Sequence, residues 1–138
     1  SLFTGLPAIG DDTGLEVSAL NGRPGVLSAR YSGPACSPAD NRVLLLEELH
    51  DAPDRSARFR TIAALVDGED IVLFEGVCKG KITRQEGGSL VFGYDSLFLP
   101  EGSERTFAEM EMDEKNRISH RGKALRKLAA HLQSRFKQ

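Results

Sequence analysis

Leu6-Pro7-Ala8-Ile9-Gly10-Asp11-Asp12-Thr13-Gly14-Leu15-Glu16-Val17 sets two carboxylates side by side, just after a short apolar stretch and just before a hydroxyl and a glycine. Adjacent like charges raise each other's pKa or call for a cation nearby. Hard carboxylate oxygens suit Mg²⁺, which one or two carboxylates usually hold together with substrate phosphates. Asp, Thr and Gly are equally the residues of a solvated turn. The dipeptide alone therefore fits a metal-linked site and a turn. The stretch from 7 to 17 reads as a short strand running into a loop that carries the acidic pair.

Working outward, residues 18 to 36 are punctuated by Gly22, Pro24, Gly25, Gly33 and Pro34, an irregular stretch long enough to suggest a functional loop. Ser37 then reads as an N-cap, with Pro38 at the first helical position and Asp40 in the first turn. That helix is expected to reach about His50, with Val43, Leu44, Leu45, Leu46 and Leu49 as a broad apolar face. Residues 57 to 67 and Ile71 to Arg84 read as two strands of a hairpin turned at Asp67-Gly68-Glu69-Asp70. Gly76 and Gly80 inside the second strand predict a bulge or a close backbone approach. Gly87-Gly88 marks a turn, Leu97-Phe98-Leu99 a short apolar stretch ending at Pro100, and residues 113 to 117 a small helix. A last helix, capped by Ser119, places Leu125, Leu128, Ala129, Leu132 and Phe136 at helical spacing with Lys and Arg opposite.

The bulk numbers bound the class. The chain has 138 residues, 40% hydrophobic and 28% charged, with a net charge of −2, as expected of one globular domain with a real core. No polybasic face points to nucleic acid. No apolar run approaches the roughly 18 residues of a membrane span, and no basic-then-apolar leader opens the chain. Cys36 and Cys78 lie far apart without metal-ligand spacing, which reads as two free thiols in a reducing cytoplasm.

Two further segments concentrate chemistry. In Phe92-Gly93-Tyr94-Asp95 a glycine that admits close backbone approach lies between two aromatics. The segment fits a surface on which a nucleobase stacks, at about 1–3 kcal/mol per base, and fits equally a strand end packed in the core. Lys115-Asn116-Arg117-Ile118-Ser119-His120-Arg121-Gly122-Lys123 is basic where a helix begins. Cations there oppose the helix dipole. A bound anion or carbonyl-rich group would account for that cost, and a solvated basic face is the other reading. Neither Gly-x-x-x-x-Gly-Lys-Ser/Thr nor Gly-x-Gly-x-x-Gly occurs, so kinase-like and dinucleotide-binding readings have little support.

The ordered series of motifs resembles the inosine/xanthosine triphosphate pyrophosphatase family. It runs through residues 10–17, Leu20-Asn21-Gly22-Arg23-Pro24-Gly25-Val26-Leu27-Ser28-Ala29-Arg30-Tyr31, residues 92–95, Phe107-Ala108-Glu109-Met110 and residues 114–125, nearly the whole chain. The resemblance implies an α/β fold: a long twisted mixed sheet flanked by helices, in two lobes about a central cleft. It implies a single domain over residues 1–138, a homodimer, and Mg²⁺-dependent hydrolysis of ITP, dITP or XTP to the monophosphate and pyrophosphate. By position it makes Asp12 the catalytic carboxylate and, with Asp11, the Mg²⁺-linked pair. Thr13 stands beside the substrate. Phe92, Gly93, Tyr94 and Asp95 form the base-binding segment, and Lys115, His120 and Arg121 recognise the purine. Val91 stands where a glycine is common and Ser96 where a proline is common. The family's Thr-x-Asn-x-Gly-Lys-like phosphate loop, a glutamate for Mg²⁺ and a helix lysine are expected ahead of the acidic pair. None is in this sequence, which begins at Ser1, so a chain lacking about the first third of the domain is expected. Two alternatives accompany this reading: a pyrophosphatase for other modified nucleotides, and a non-catalytic nucleotide-binding or dimerisation fragment.

Overall fold

A strand whose alternate residues from Ala57 to Leu65 are buried builds the centre of the molecule. The computed structural model describes residues 7–35, 37–88 and 93–136. In chain order they form β1 (Ala8–Val17), β2 (Pro24–Gly25), α1 (Pro38–Glu48), β3 (Ser56–Asp67), β4 (Asp70–Ile82), β5 (Phe98–Pro100), α2 (Met112–Ile118) and α3 (His120–Phe136). The five strands make one sheet in the order β2-β1-β3-β4-β5. The α/β class holds. Among the described residues every strand pair is antiparallel, where the resemblance implies a mixed sheet.

The hairpin of β3 and β4 closes at Asp67↔Asp70 with Gly68 at φ 64°, the first central turn position, where hairpin turns matching the strand twist need positive φ. One face of β3 buries Ala57, Phe59, Thr61, Ala63 and Leu65. Under this face lie two apolar clusters. The larger joins Leu15, Val17, Leu45, Leu49, Phe59, Ile82, Leu97, Phe98 and Phe107, and the smaller joins Ala63, Leu65, Ala124 and Leu128.

Three local expectations are corrected. The acidic pair lies in no loop: β1 pairs with β3 without a break from Ala8↔Val66 to Val17↔Ala57, through Asp11↔Ala63 and Asp12↔Ile62. Asp and Gly are weak strand formers, and ladder pairing overrides that preference. On α3 the buried face is Ala124 and Leu128, while Leu125 is exposed and Ala129 likewise. On α1 Leu45 and Leu49 are buried and Leu46 packs partly buried against the core as expected, whereas Val43 is exposed and the polar Asn41 and Arg42 are buried too. The α1 cap is as read: Ser37 accepts from the Asp40 amide and Asp40 reaches back to the Ser37 amide, a reciprocal capping box.

Gly76 and Gly80 mark close approach, with the β3–β4 register unbroken between Ser56↔Lys81 and Asp67↔Asp70. A Cβ on Gly76 would lie 1.9 Å from the carbonyl oxygen of His120, and one on Gly80 2.3 Å from that of Leu99. The first turn of α3 therefore rests directly on the backbone of β4. On the same side, the amino groups of Lys123 and Lys127 donate to the carbonyls of Val77 and Glu75 at 2.9 and 2.6 Å.

Candidate functional site

Successive residues of a strand face opposite sides of the sheet, so β1 sends Asp11 and Asp12 apart. Asp11 shares a face with Thr13, and its Oδ2 lies 3.0 Å from Nε of Arg121 on α3. Thr13 Oγ1 lies 2.8 Å from Oγ1 of the buried Thr61. Asp12 is exposed on the other face, the one that carries Glu16 with its ion pairs to Arg58 and Arg60. The two carboxylates thus do not converge as one chelating pair. Among the described residues no group of three or more His, Cys, Asp or Glu side chains gathers as a metal site.

A second group of the expected residues does gather. Lys115, on α2, donates to Oδ2 of Asp95 at 2.5 Å, and its Nζ lies 5.5 Å from the centre of the Phe107 ring. The His120 ring stacks on Phe59 at 4.6 Å and lies 6.0 Å from Phe107. Asp95 and His120 are both buried, at 8% and 7% exposure. Burial pushes the Asp95 carboxyl above its usual value, opposed by the hydrogen bond and charge of Lys115. Burial, reinforced by the charges of Lys115, Arg121 and Lys123, holds His120 down to about 4. His120 is thus neutral at pH 7, and its buried Nδ1 has no hydrogen-bond partner among the described residues.

Tyr94 is packed: it is 5% exposed, and its hydroxyl donates to the carbonyl of Ser28 at 2.6 Å. Gly93 holds φ 54°, a conformation open to glycine without strain. Phe92 lies outside the described residues.

Several residues that sequence reasoning assigned no role tie these parts together. Ser28 Oγ accepts from the amide of Leu15 on β1 and donates to the Gly25 carbonyl, at 2.9 and 2.6 Å. With the Tyr94 bond, Ser28 links the acidic strand to the Gly93–Asp95 segment. Asn41 holds the same loop, accepting from the amide and hydroxyl of Ser32 and donating to the carbonyl of Ala29. Phe59 and Phe107 form the apolar bed under His120. The alternation of β3 marks Phe59 as inward-facing. Nothing local to Ser28 or Asn41 announces contacts so distant in sequence.

Asp95, Lys115 and His120 thus gather against the Phe59 and Phe107 rings, while the Arg121 guanidinium faces Asp11 on β1. A model of the Ham1 family matches residues 1–131. The dITP/XTP pyrophosphatase of Desulfotalea psychrophila is 52% identical over 127 residues, which span 91% of this chain and 57% of that protein. That of Christiangramia forsetii is 49% identical over 128 residues, 93% of this chain and 67% of that protein. Among solved structures, a HAM1 protein from Coxiella burnetii superimposes with a TM-score of 0.90 at 43% identity, over 95% of this chain and 69% of that one. The Staphylococcus aureus Ham1 protein does so with a TM-score of 0.92 at 36% identity, over 96% and 70%.

Proposed function

The chain belongs to the Ham1 family, and we propose that the protein carrying it hydrolyses dITP, XTP and ITP to the nucleoside monophosphate and pyrophosphate, clearing non-canonical purines from the nucleotide pool. The chain spans 57% of the first relative's length, so the proposal concerns the protein of which these residues are part. One observation carries it. Among the described residues the buried Nδ1 of a neutral His120 lacks a partner, the charge of Lys115, paired with Asp95, reaches that imidazole, and burying a polar atom without a partner is costly. A purine with hydrogen-bonding groups on its ring edge would supply that partner.

In the reaction, a water oxygen attacks the α-phosphorus, the bond to the α–β bridging oxygen breaks, and pyrophosphate leaves. Asp12 orients or deprotonates that water, or holds the metal. An exposed carboxylate is an oxygen donor of the kind Mg²⁺ takes alongside phosphate oxygens, so Asp12 fits as its protein ligand. Asp11, engaged with Arg121 on the other face, fits this role less well. When bound, Mg²⁺ offsets charge on the phosphate oxygens.

Base choice follows from donor chemistry. Lys115 and Arg121 can only donate. Beyond their pairs with Asp95 and Asp11, their remaining N–H groups suit the carbonyl oxygen at position 6 of hypoxanthine or xanthine and offer the amino group of adenine no acceptor. A site built to hydrogen-bond one group rejects its analogue by up to about 10⁴–10⁵-fold. The same reading takes the working protein as a cytoplasmic homodimer. No helix among the described residues is long and apolar enough to cross a membrane.

The test is pyrophosphate release from ITP, XTP and ATP, with and without Mg²⁺. Asp12→Asn is expected to lower turnover by about 10²–10⁴-fold, the range of a positioned general base. Arg121→Ala is expected to narrow the ITP-to-ATP preference. Near-normal turnover by Asp12→Asn, or an unchanged preference in Arg121→Ala, refutes the corresponding role.

A further inference from the structure

Arg42 is an unusual residue to find buried in the first turns of α1. Its side chain is only 9% exposed, and an arginine is seldom buried unless paired. Its partners are specific. Nε donates to Oε1 of Glu86 at 2.5 Å, and Nη1 donates to the carbonyl of Gly93 at 3.0 Å. Oε1 of Glu86 also accepts from the Ser96 hydroxyl at 2.8 Å, and the amide of Gly87 donates to the carbonyl of Ser96, again at 2.8 Å. Ser96 is fully buried. One guanidinium and one carboxylate thus grip the backbone or side chain on both sides of Tyr94 and Asp95.

Glycine is conformationally permissive, and Gly93 sits at positive φ, so its carbonyl direction is not fixed by its own sterics. The planar fork of Arg42 supplies that direction, in a way that the single point charge of a lysine would not. The neighbouring Asp95 is the partner of Lys115. An error of about 1 Å in a group that meets the substrate can cost about a hundredfold in rate.

We propose that Arg42, held by Glu86, is a positioning residue that sets the Gly93–Asp95 segment for purine binding and so governs affinity for the base, with no part in the phosphate chemistry. The inference rests on the reading of that segment as the base site given under Proposed function. Among the described residues the Arg42 side chain bonds Glu86 and Gly93, neither of them on the acidic strand. Its loss acts through the placement of Gly93 and Asp95.

The experiment has two arms, run on the protein that carries this chain. In the first, kcat and KM for ITP are measured for Arg42→Ala, Arg42→Lys, Glu86→Gln and the double variant Arg42→Ala/Glu86→Gln. Arg42→Ala is expected to raise KM about tenfold, the worth of a hydrogen bond to a charged group, with kcat within about threefold. The double variant is expected to be no worse than Arg42→Ala, because both changes remove one interaction. A fall in kcat at unchanged KM, or additive effects in the double variant, overturns the proposal. Glu86 is half-exposed, so Glu86→Gln tests the pair even where Arg42→Ala fails to fold. In the second arm, amide hydrogen exchange at residues 93 to 95 is expected to quicken about tenfold in Glu86→Gln while β3 amides keep their protection. Unchanged exchange at 93 to 95 overturns the proposal whatever the kinetics show. Failure of the unaltered protein to hydrolyse ITP counts against the proposed function alone, and the exchange arm then decides on the clamp.

Discussion

Gly76→Ala is the sharpest test of how α3 is seated, because the usual expectation has the opposite sign. Replacing a glycine by alanine where the backbone allows it normally stabilises a protein by about 0.4–1 kcal/mol, through the lost entropy of the unfolded chain. Gly76 lies in mid-strand, opposite Thr61, a conformation alanine adopts freely. Space decides the matter. The new Cβ would stand 1.9 Å from the carbonyl oxygen of His120, 2.6 Å from the amide nitrogen of Ala124 and 3.0 Å from the carbonyl carbon of His120. All three neighbours are backbone, so no rotamer change relieves the contact. Reaching ordinary contact at 3.4 Å requires the first turn of α3 to withdraw by about 1.5 Å, opening a gap beneath the fully buried Ala124 and the nearly buried Leu128. Overpacking of this kind costs about 1–3 kcal/mol, and the clash outweighs the entropic gain. A net loss of about 2 kcal/mol lowers the midpoint by roughly 4–8 °C for a domain of about 150–250 residues. Thermal unfolding followed by circular dichroism reads it. Gly10→Ala is the control: its Cβ meets nothing within 4 Å, and its midpoint is expected to stay or rise. A Gly76→Ala protein as stable as the unaltered one would refute this account of α3 packing.

Two further outcomes follow from the titrating groups. His120 is held down to about 4 against about 6.5 in an unfolded chain, so the unfolded state binds more protons between those values. Stability therefore falls as pH drops from about 6.5 to about 4, by up to about 3 kcal/mol in total; denaturant midpoints of His120→Leu should lack that part of the slope, and an equal slope in both proteins would count against it. Lys115→Met leaves the buried Asp95 without its countercharge and is expected to cost about 3 kcal/mol at neutral pH. Asp95 is already pushed above its usual value by burial, and without Lys115 it rises further. The loss should thus shrink toward acid, where Asp95 protonates, and a loss that grows toward acid in the same midpoint series contradicts the pairing.

Local chemistry made some elements readable and left others hidden. Ser37, Pro38 and Asp40 carry the α1 start in three adjacent residues, and the cap forms as those types dictate. Residues 57 to 67 begin with alternation and end apolar, which reads as a strand, and alternate residues from Ala57 to Leu65 are buried. The register of α3 was harder. Leucine weight drew the apolar face toward Leu125, whereas the seat on Gly76 favours the small Ala124, and close fit outranks hydrophobicity there. The acidic pair reads as a loop because Asp is a poor strand former, and its partners Ala63 and Ile62 in β3 lie at least fifty positions away. The motif resemblance singles out Asp95, Lys115, His120 and Arg121, and the fold brings Asp95 and Lys115 into contact. The resemblance assigns no role to Ser28, Asn41, Arg42 and Glu86, since each acts through partners on other elements.

The basic start of α3 poses an energetic question that the fold partly answers. Cations in the first turn oppose the helix dipole, and a bound anion would be one compensation. The chain supplies two others. Lys123, followed a turn later by Lys127, donates to the carbonyls of Val77 and Glu75 on β4, engaging backbone groups of the kind that invite unwanted strand pairing at a sheet edge. Arg121 is met by Asp11. What these contacts leave over is His120, whose buried Nδ1 lacks a partner among the described residues. The division matters for function. A ligand that engages His120 satisfies an atom the fold leaves orphaned. A ligand that also engages Arg121 competes with Asp11 for the same guanidinium. On the proposed reading, binding at the base end would alter the electrostatics of β1 one residue from Asp12, and the ion pair between Asp11 and Arg121 would link the two ends of the nucleotide.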